Sequence, residues 1–187
     1  GSYNQLGKDE VKKIKKWVEQ GNTLITVAGG SNWAISKKLI NESLVESKKD
    51  STHSRKNYVD ASEFIGRERI GGVILKADID LTHPIAFGYN DNSIPVYKNN
   101  NVFINKTKND YSSVATYSKD FHIDGYISES NKKDFIPGAA SLIISKVGSG
   151  RVVVFADNPN FRGTWYGTNK LFLNAIFLGN NISVPTN

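Results

Sequence analysis

Cysteine is absent from this chain of 187 residues, and only three histidines are present. The chain therefore forms no disulfide, offers no thiolate to a metal and has no cysteine nucleophile. Neither of the histidine–glutamate spacings typical of zinc sites, His-x-x-Glu and His-Glu-x-x-His, occurs. No apolar run approaches the roughly 20 residues that cross a bilayer. We therefore expect no metal site and no membrane span in this chain.

The composition is that of a globular protein, with 39% hydrophobic and 22% charged residues. The length suits one domain, so residues 1–187 are expected to form a single unit. The net charge of +6 arises largely from two local runs, KDEVKKIKKW and SKKDSTHSRKN. In the first run, apolar residues recur at helical spacing, which places the lysines on a solvated helix face. The charge pattern therefore predicts no nucleic-acid partner.

Helical and strand patterns alternate along the first half of the chain, which is typical of a layered α/β domain. The periodicity predicts a helix from Lys8 to Gln20, a strand buried on both faces over TLITVA, and a helix from Asn32 to Ile40. Residues 41–57 are polar and rich in lysine and serine, so we expect a mobile loop there. The stretch GGVILKADIDL predicts another strand.

The second half of the chain is richer in β-structure. Weak alternation and Asn-Asn turns predict a β-rich insertion, or edge strands, over about residues 93–127. The clearest hairpin joins AASLIISKV to RVVVFADN through the turn GSG. The segment NKLFLNAIFLGN then predicts a helix whose apolar residues cover most faces, so we expect it to be well buried.

The stretch TLITVAGGSNWAI raises the question of a nucleophile. A sharp turn from strand to helix exposes a side chain beside free backbone amides, and Ser31 follows the Gly-Gly pair. Asp80 and His83, in DIDLTHP, are the best partners for such a serine. The structural alternative is favoured: Ser31 caps the helix, Asp80 and Thr82 shape a turn, and His83 caps that turn.

The loop DNPNFRGTWYGT is a second candidate site, dense in Asp157, Asn158, Arg162, Trp165 and Tyr166. Arg162 could bind a carboxylate, and the two aromatic side chains could hold a peptide or a sugar. In the structural alternative, which is favoured here also, Arg162 pairs with Asp157 or Asp80 while the aromatic rings close the core.

Three stretches together carry a resemblance to one family: KKWVEQGNTLITVAGGSNWAI, GGVILKADIDLTHPIAFGY and SGRVVVFADNPNFRGTWYGTNKLFLNAIFLG. They resemble the C-terminal, class I glutamine amidotransferase-like region found behind the catalytic domain of large bacterial zinc carboxypeptidases. The similarity covers most of the chain, except the lysine- and serine-rich loop and the β-rich middle. The resemblance implies a three-layer, flavodoxin-like α/β domain. It is compatible with a chain that lacks the first βαβ part of that domain.

The resemblance also implies that this chain is not catalytic. Active glutamine amidotransferases carry cysteine at the elbow and a His/Glu pair at a later strand end. This chain has Ala28-Gly29-Gly30 at the first position and Asp157-Asn158 at the second. The family's zinc ligands belong to another domain, so zinc is expected only in the parent's peptidase domain and no cofactor in this chain.

The expected function is accordingly that of an accessory domain in a secreted or periplasmic bacterial zinc carboxypeptidase. Its partner would be the protein's own N-terminal peptidase domain, with a peptide or glycan substrate as a further ligand. Two alternatives from other classes stay open. One is a hydrolase that uses Ser31, His83 and Asp80, and the other is a carbohydrate- or peptide-binding module that uses Arg162, Trp165 and Tyr166.

Overall fold

The computed structural model describes residues 3–46 and 57–185, apart from the side chain of residue 64, and shows a mixed α/β fold. The α-helices in the described residues are α1 (Lys8–Glu19), α2 (Gly29–Ser36), α3 (Tyr58–Arg67) and α4 (Tyr166–Leu178). The strands are β1 (Thr23–Val27), β2 (Val73–Ile79), β3 (Ser93–Lys98), β4 (Ile104–Asn105), β5 (Ser113–Gly125), β6 (Ala139–Val147) and β7 (Gly150–Phe155). Among the described residues, no helix combines the length and the apolar character needed to cross a membrane.

Helix α1 forms where the apolar periodicity predicts it. Val11 and Val18 are buried, whereas Trp17, which the pattern assigned to the same stripe, is 45% exposed. Helix α1 ends just before Gly21. The φ of Gly21 is 111°, which glycine adopts readily, and it turns the chain toward β1. Four lysines of this helix lie outside the buried stripe, as expected for a solvated face.

The strands form one sheet in the order β1-β7-β6-β5-β2-β3, and β4 pairs with β6. Within the described ranges, β1 and β7 form the one parallel pair, and every other pairing is antiparallel. The expectation that β1 is buried on both faces holds in part. Ile25 and Val27 pack against one core cluster and Leu24 against others, but only Thr26 is fully buried. The strand lies at the edge of the sheet, with β7 as its one neighbouring strand among the described residues.

The region 93–127 is rich in strands, as predicted. These strands belong to the same sheet as the others: β3 forms an edge, whereas β5 lies between β6 and β2. The loop predicted at about 41–57 is described only up to residue 46, and residues 47–56 lie outside the described residues. Within the described part, Leu44 forms a bridge with Ile104, which ties that part to the sheet.

The predicted hairpin of β6 and β7 is confirmed and forms the centre of the core. Every residue of β7 is buried, including Val152, Val153 and Val154. Gly150 approaches α1 so closely that a Cβ there would lie 1.9 Å from the carbonyl oxygen of Val18. The hairpin turn therefore needs glycine for the contact with the helix as well as for the turn itself.

Helix α4 is only partly buried, so the expectation of a well-buried helix is wrong. Thr168, Leu171 and Ala175 face the interior, whereas Ile176 and Phe177 are 51% and 75% exposed. The helix contacts β3 and the short turn Pro84–Ala86, which cover one side of it. The opposite side has apolar residues that no equivalent layer of the described chain covers.

Candidate functional site

The turn between β1 and α2 has the strained geometry of a nucleophile elbow. Ala28 occupies the corner with φ 49° and ψ −113°, a region that residues with a Cβ seldom adopt. Its backbone N–H donates to the Phe155 carbonyl oxygen at 2.8 Å, which holds the corner against the end of β7. In enzymes such a turn presents the nucleophile. Here the side chain at that position is a methyl group, which cannot attack a substrate.

Ser31 lies inside α2 rather than at its cap, because the helix begins at Gly29 instead of near the predicted Asn32. Its side chain is fully buried, and Oγ donates to the Phe155 carbonyl oxygen at 2.7 Å. The same Oγ lies 3.0 Å from Thr26 Oγ1. Ser31 therefore joins the first turn of the helix to the ends of β1 and β7.

The chain's own N-terminal segment covers the corner. Tyr3 packs edge-to-face on Trp33, with ring centroids 5.9 Å apart. Its hydroxyl reaches the first residue of α2, since a Cβ on Gly29 would lie 2.7 Å from that oxygen. The place where an amidotransferase-like elbow would receive a substrate is thus in contact with a tyrosine side chain.

Asp80 and His83 form a local turn after β2, which matches the structural interpretation of DIDLTHP. Asp80 Oδ1 accepts from the backbone N–H of Thr82 at 2.9 Å and from its hydroxyl at 2.6 Å. His83 Nδ1 accepts from the backbone N–H of Ile85 at 3.1 Å. Burial lowers the pKa of His83, and the nearby Asp80 carboxylate partly opposes that shift.

The structure does not bring Ser31 and His83 together. Three strands lie between β1 and β2 in the sheet, so the two strands are about 19 Å apart along it at the usual spacing. The hydrogen bonds of Ser31 go to β1 and β7, and those of His83 stay within its own turn. A general base must be within hydrogen-bond reach of its nucleophile, and this arrangement does not place His83 in reach of Ser31.

Asp157, predicted as a binding residue, belongs to a buried polar cluster. Its carboxylate accepts from Lys98 Nζ at 3.0 Å, from the Tyr117 hydroxyl at 2.8 Å and from Ser141 Oγ at 2.6 Å. Lys98 is fully buried, and Asp157 is 4% exposed. The carboxylate thus faces the interior, and it holds the end of β7 against β3, β5 and β6.

The electrostatics of this cluster follow from its burial. Lys98 Nζ also donates to the Val102 carbonyl oxygen at 2.7 Å and lies 4.6 Å from the centre of the Phe103 ring. Burial lowers the pKa of Lys98, and the carboxylate of Asp157 opposes that shift. Burial raises the pKa of Tyr117, and the negative charge of Asp157 raises it further.

Lys98 was missed by the sequence analysis, although a signal was present. In SIPVYK, Ile94, Val96 and Lys98 alternate on the inward face of the strand, and all three are buried. A lysine in phase with buried apolar residues requires an acidic partner inside the protein. Its partner is 59 residues away in the sequence, so the pattern alone does not identify it.

The other residues of the loop after β7 form an aromatic surface with Arg162. Arg162 is exposed and makes no ion pair among the described residues, so the expected pairing with Asp157 or Asp80 is not found. Its guanidinium lies 5.1 Å from the centre of the Phe161 ring. Tyr97, which the sequence analysis did not single out, stacks on Phe161 with ring centroids 4.0 Å apart.

Trp165 and Tyr166 extend this surface, whereas Asn158 stabilises the loop itself. Trp165 Nε1 donates to the carbonyl oxygen of Pro95 at 3.2 Å, which leaves the indole half-buried. Tyr166 is 77% exposed. Asn158 Oδ1 accepts from the backbone N–H of residue 160 at 3.1 Å. The structural alternative required these aromatic rings to close the core. They do not, because Tyr166 is exposed and Trp165 is only half-buried.

In the part of the chain that the structure describes, no three histidine, aspartate or glutamate side chains cluster as metal ligands would. No protein-family model matches the chain, and no curated protein matches it.

One solved structure is similar to this chain: the crystal structure, at 2.45 Å resolution, of a GMP synthase subunit-like protein from Thermoplasma acidophilum. The TM-score is 0.51 at 15% sequence identity, and the match covers 92% of this chain. The chain spans 65% of the length of that protein. At this identity the likeness concerns the fold alone, and it supports the glutamine amidotransferase-like frame that the sequence resemblance implied.

Proposed function

We propose that this chain is a non-catalytic accessory domain of a secreted bacterial zinc carboxypeptidase. Its frame would be a three-layer, flavodoxin-like domain of the glutamine amidotransferase type. The observation that carries the proposal is Ala28, which holds the elbow geometry without a reactive side chain.

The second amidotransferase position also has a structural role. Asp157 stands where the resemblance expects a catalytic strand end, and its carboxylate is occupied by Lys98, Tyr117 and Ser141. A group that accepts three internal donors in the core is not free to take a proton from a substrate. Asp157 thus stabilises the fold and Ala28 offers no reactive group, which favours a positioning or stabilising function over a chemical one.

An accessory domain needs a surface for its partner, and α4 offers one. Leu173, Ile176 and Phe177 are exposed on it, and Phe87 beside it is 74% exposed. Asn174 Nδ2 donates to the carbonyl oxygen of Phe87, so the loop that carries Phe87 lies against the helix. Exposed apolar areas of this kind mark sites of protein association. The proposed partner is the peptidase domain of the same protein.

The experiment compares the full-length protein with Phe177→Asp and with Tyr126→Asp, a matched change at another exposed aromatic. We expect Phe177→Asp to lower the melting temperature of the peptidase domain and Tyr126→Asp to leave it unchanged. Peptidase activity against a set of peptides gives a second readout. The accessory role would be contradicted if both variants, and a protein that lacks this domain, had the same melting temperature and peptidase activity as the unaltered protein.

A second function is favoured by the exposed Arg162: a binding module for peptides or glycans. The guanidinium beside the rings of Phe161 and Tyr97 suits a carboxylate attached to an apolar or sugar ring. The test measures binding of a peptide with a free C-terminal carboxylate and of its amide. Arg162→Ala should abolish the preference for the free carboxylate, whereas the control Arg67→Ala should retain it. Equal binding of both peptides by the unaltered chain would exclude this module.

A further inference from the structure

A polar cleft of about 820 Å³ lies beside the segment that follows α2, where β4 and β6 approach it. Side-chain amides and hydroxyls dominate its walls, among them those of Asn41, Ser43, Asn105, Thr107 and Asn109. No aromatic side chain lines it among the described residues. The volume is in the range of binding sites for small ligands or for a few units of a polymer.

Lysines supply most of the charge in this cleft. Lys106, Lys108 and Lys146 line it, and Glu42 is the acidic residue among them. Glu42 accepts a hydrogen bond from Ser145 Oγ at 3.1 Å. Lys146 is exposed and makes no ion pair within the described ranges 3–46 and 57–185. The cleft therefore combines an excess of positive charge with many neutral hydrogen-bonding groups.

Two further depressions adjoin this cleft along the surface. A second depression, of about 610 Å³, shares Asn41, Glu42 and Lys146 with it and adds Glu19. This depression is also lined by Lys15 and Lys38. Those two lysines line a third depression, of about 440 Å³, between α1 and the end of α2. The third depression adds three more lysines: Lys8, Lys12 and Lys37.

Eight lysines and two glutamates thus line these three adjoining depressions, which we together call the lysine groove. Two of the lysines have acidic neighbours at the margin: Asp9 lies 3.9 Å from Lys12 and Asp110 lies 4.0 Å from Lys106. The groove still has an excess of positive charge. The basic residues, which the sequence shows as separate runs, are brought together because α1 and the segment after α2 lie beside the end of β6. Such a concentration of one sign of charge in a concave surface attracts polyanions.

We propose that the lysine groove binds an acidic polysaccharide. Asn105, Thr107 and Asn109 already donate hydrogen bonds within the chain, so their oxygens serve mainly as acceptors for sugar hydroxyls. The lysines pair with carboxylate or sulfate groups along the polymer. Single-stranded nucleic acids bind largely by stacking their bases on aromatic rings, which this lining lacks in the described residues. The concave shape fits a narrow chain better than a flat membrane. This binding does not depend on a peptidase parent.

The test measures binding of polygalacturonate to the full chain by calorimetry at several salt concentrations. The double variant Lys106→Glu/Lys146→Glu reverses two exposed charges in the groove, and Lys119→Glu makes the same kind of change on β5, away from it. Since each reversal replaces an attraction by a repulsion, we expect the double variant to weaken binding by about tenfold or more. Lys119→Glu should change it much less, and added salt should weaken binding by the unaltered chain.

Other outcomes would overturn the proposal. A loss in Lys119→Glu equal to that in the single variant Lys146→Glu, which changes the net charge by the same amount, would mean that only the total charge matters. Tighter binding of oligo(dT), of polyglutamate or of anionic lipid vesicles than of polygalacturonate would assign the groove to another class of partner. Lys106→Gln/Lys146→Gln, which neutralises without repulsion, should give an intermediate loss. Thermal unfolding of each variant shows whether a loss of binding reflects a loss of folded protein.

Discussion

Replacing Lys98 with methionine tests whether its buried ion pair with Asp157 stabilises the fold. The change keeps a long, flexible side chain but removes the charge. Asp157 would then keep its hydrogen bonds from Tyr117 and Ser141 and lose the cation that it pairs with. The Val102 carbonyl oxygen would also lose its donor. The variant therefore leaves a negative charge in the core with neutral partners alone.

The size of the effect follows from the burial of both partners. The side chains of Lys98 and Asp157 are 0% and 6% exposed, so water cannot replace the missing ammonium group. Breaking a buried pair by removing one partner costs about 3–5 kcal/mol. For a chain of this length, such a loss lowers Tm by roughly 6–20 °C.

A matched control is available on the surface. Lys76 pairs with Asp120, but those side chains are 30% and 76% exposed. Lys76→Met should therefore cost about 0–1 kcal/mol. The double variant Lys98→Met/Asp157→Asn removes both buried charges and should recover a large part of the loss, because it leaves no unpaired charge in the core.

Urea denaturation at neutral pH measures these three variants and the single variant Asp157→Asn, with the free energy of unfolding taken from the transition. Lys98→Met and Lys76→Met should differ by several kcal/mol. Equal, small losses in the two would show that the carboxylate of Asp157 does not depend on its buried cation. A double variant as unstable as the two single changes added together would show that the pair has no coupling energy.

Three further changes test other parts of the site. Burial lowers the folded-state pKa of His83 below 6.5, so the unfolded chain binds the proton first as the pH falls. His83 therefore contributes to the free energy of unfolding above pH 6.5, and this contribution is lost as the pH falls through the folded-state pKa. His83→Asn keeps an acceptor for Ile85 N–H and should flatten the dependence of unfolding on pH there; an unchanged profile would exclude His83 as the cause. Ala28→Gly should raise the unfolding free energy by about 1 kcal/mol by relieving the positive φ, whereas Ala34→Gly, inside α2, should lower it. Arg162→Gly should also stabilise the chain, by about 0.5–1 kcal/mol, since its φ is 53°, and should abolish carboxylate binding; lower stability in thermal melts would refute the strain argument.

Local signals in the sequence account for much of the secondary structure. Helix α1 and the β6–β7 hairpin depend on apolar spacing and on nearby glycines, so they could be predicted within a residue or two. The elbow was also visible, because an apolar strand followed by Gly-Gly and a helical pattern is typical of a sharp turn, where glycine permits close backbone approach. The identity of its corner residue, Ala28, already indicated that no nucleophile is present.

The predictions that failed concern the number of neighbours around an element. Helix α4 has apolar residues on several sides, yet the described chain covers it on one side only, and β1 is only partly buried on both faces. Apolar composition indicates a tendency to be buried, whereas the actual burial depends on which other elements lie beside it. For the same reason, the sequence did not reveal that Arg162 stays exposed beside Tyr97 and Phe161.

The sequence by itself determined the lack of cysteine chemistry, the main helices and strands, and a methyl group at the elbow. Only the tertiary structure decided that Lys98 meets Asp157, that Ser31 and His83 lie far apart, and that separate lysines line one groove. The physical reason is that secondary structure depends mainly on residues close in the sequence. Lys98 and Asp157, in contrast, come into contact only because the order of strands in the sheet places them side by side. Strand order depends on burying the whole core at once, and no short stretch of sequence contains that information.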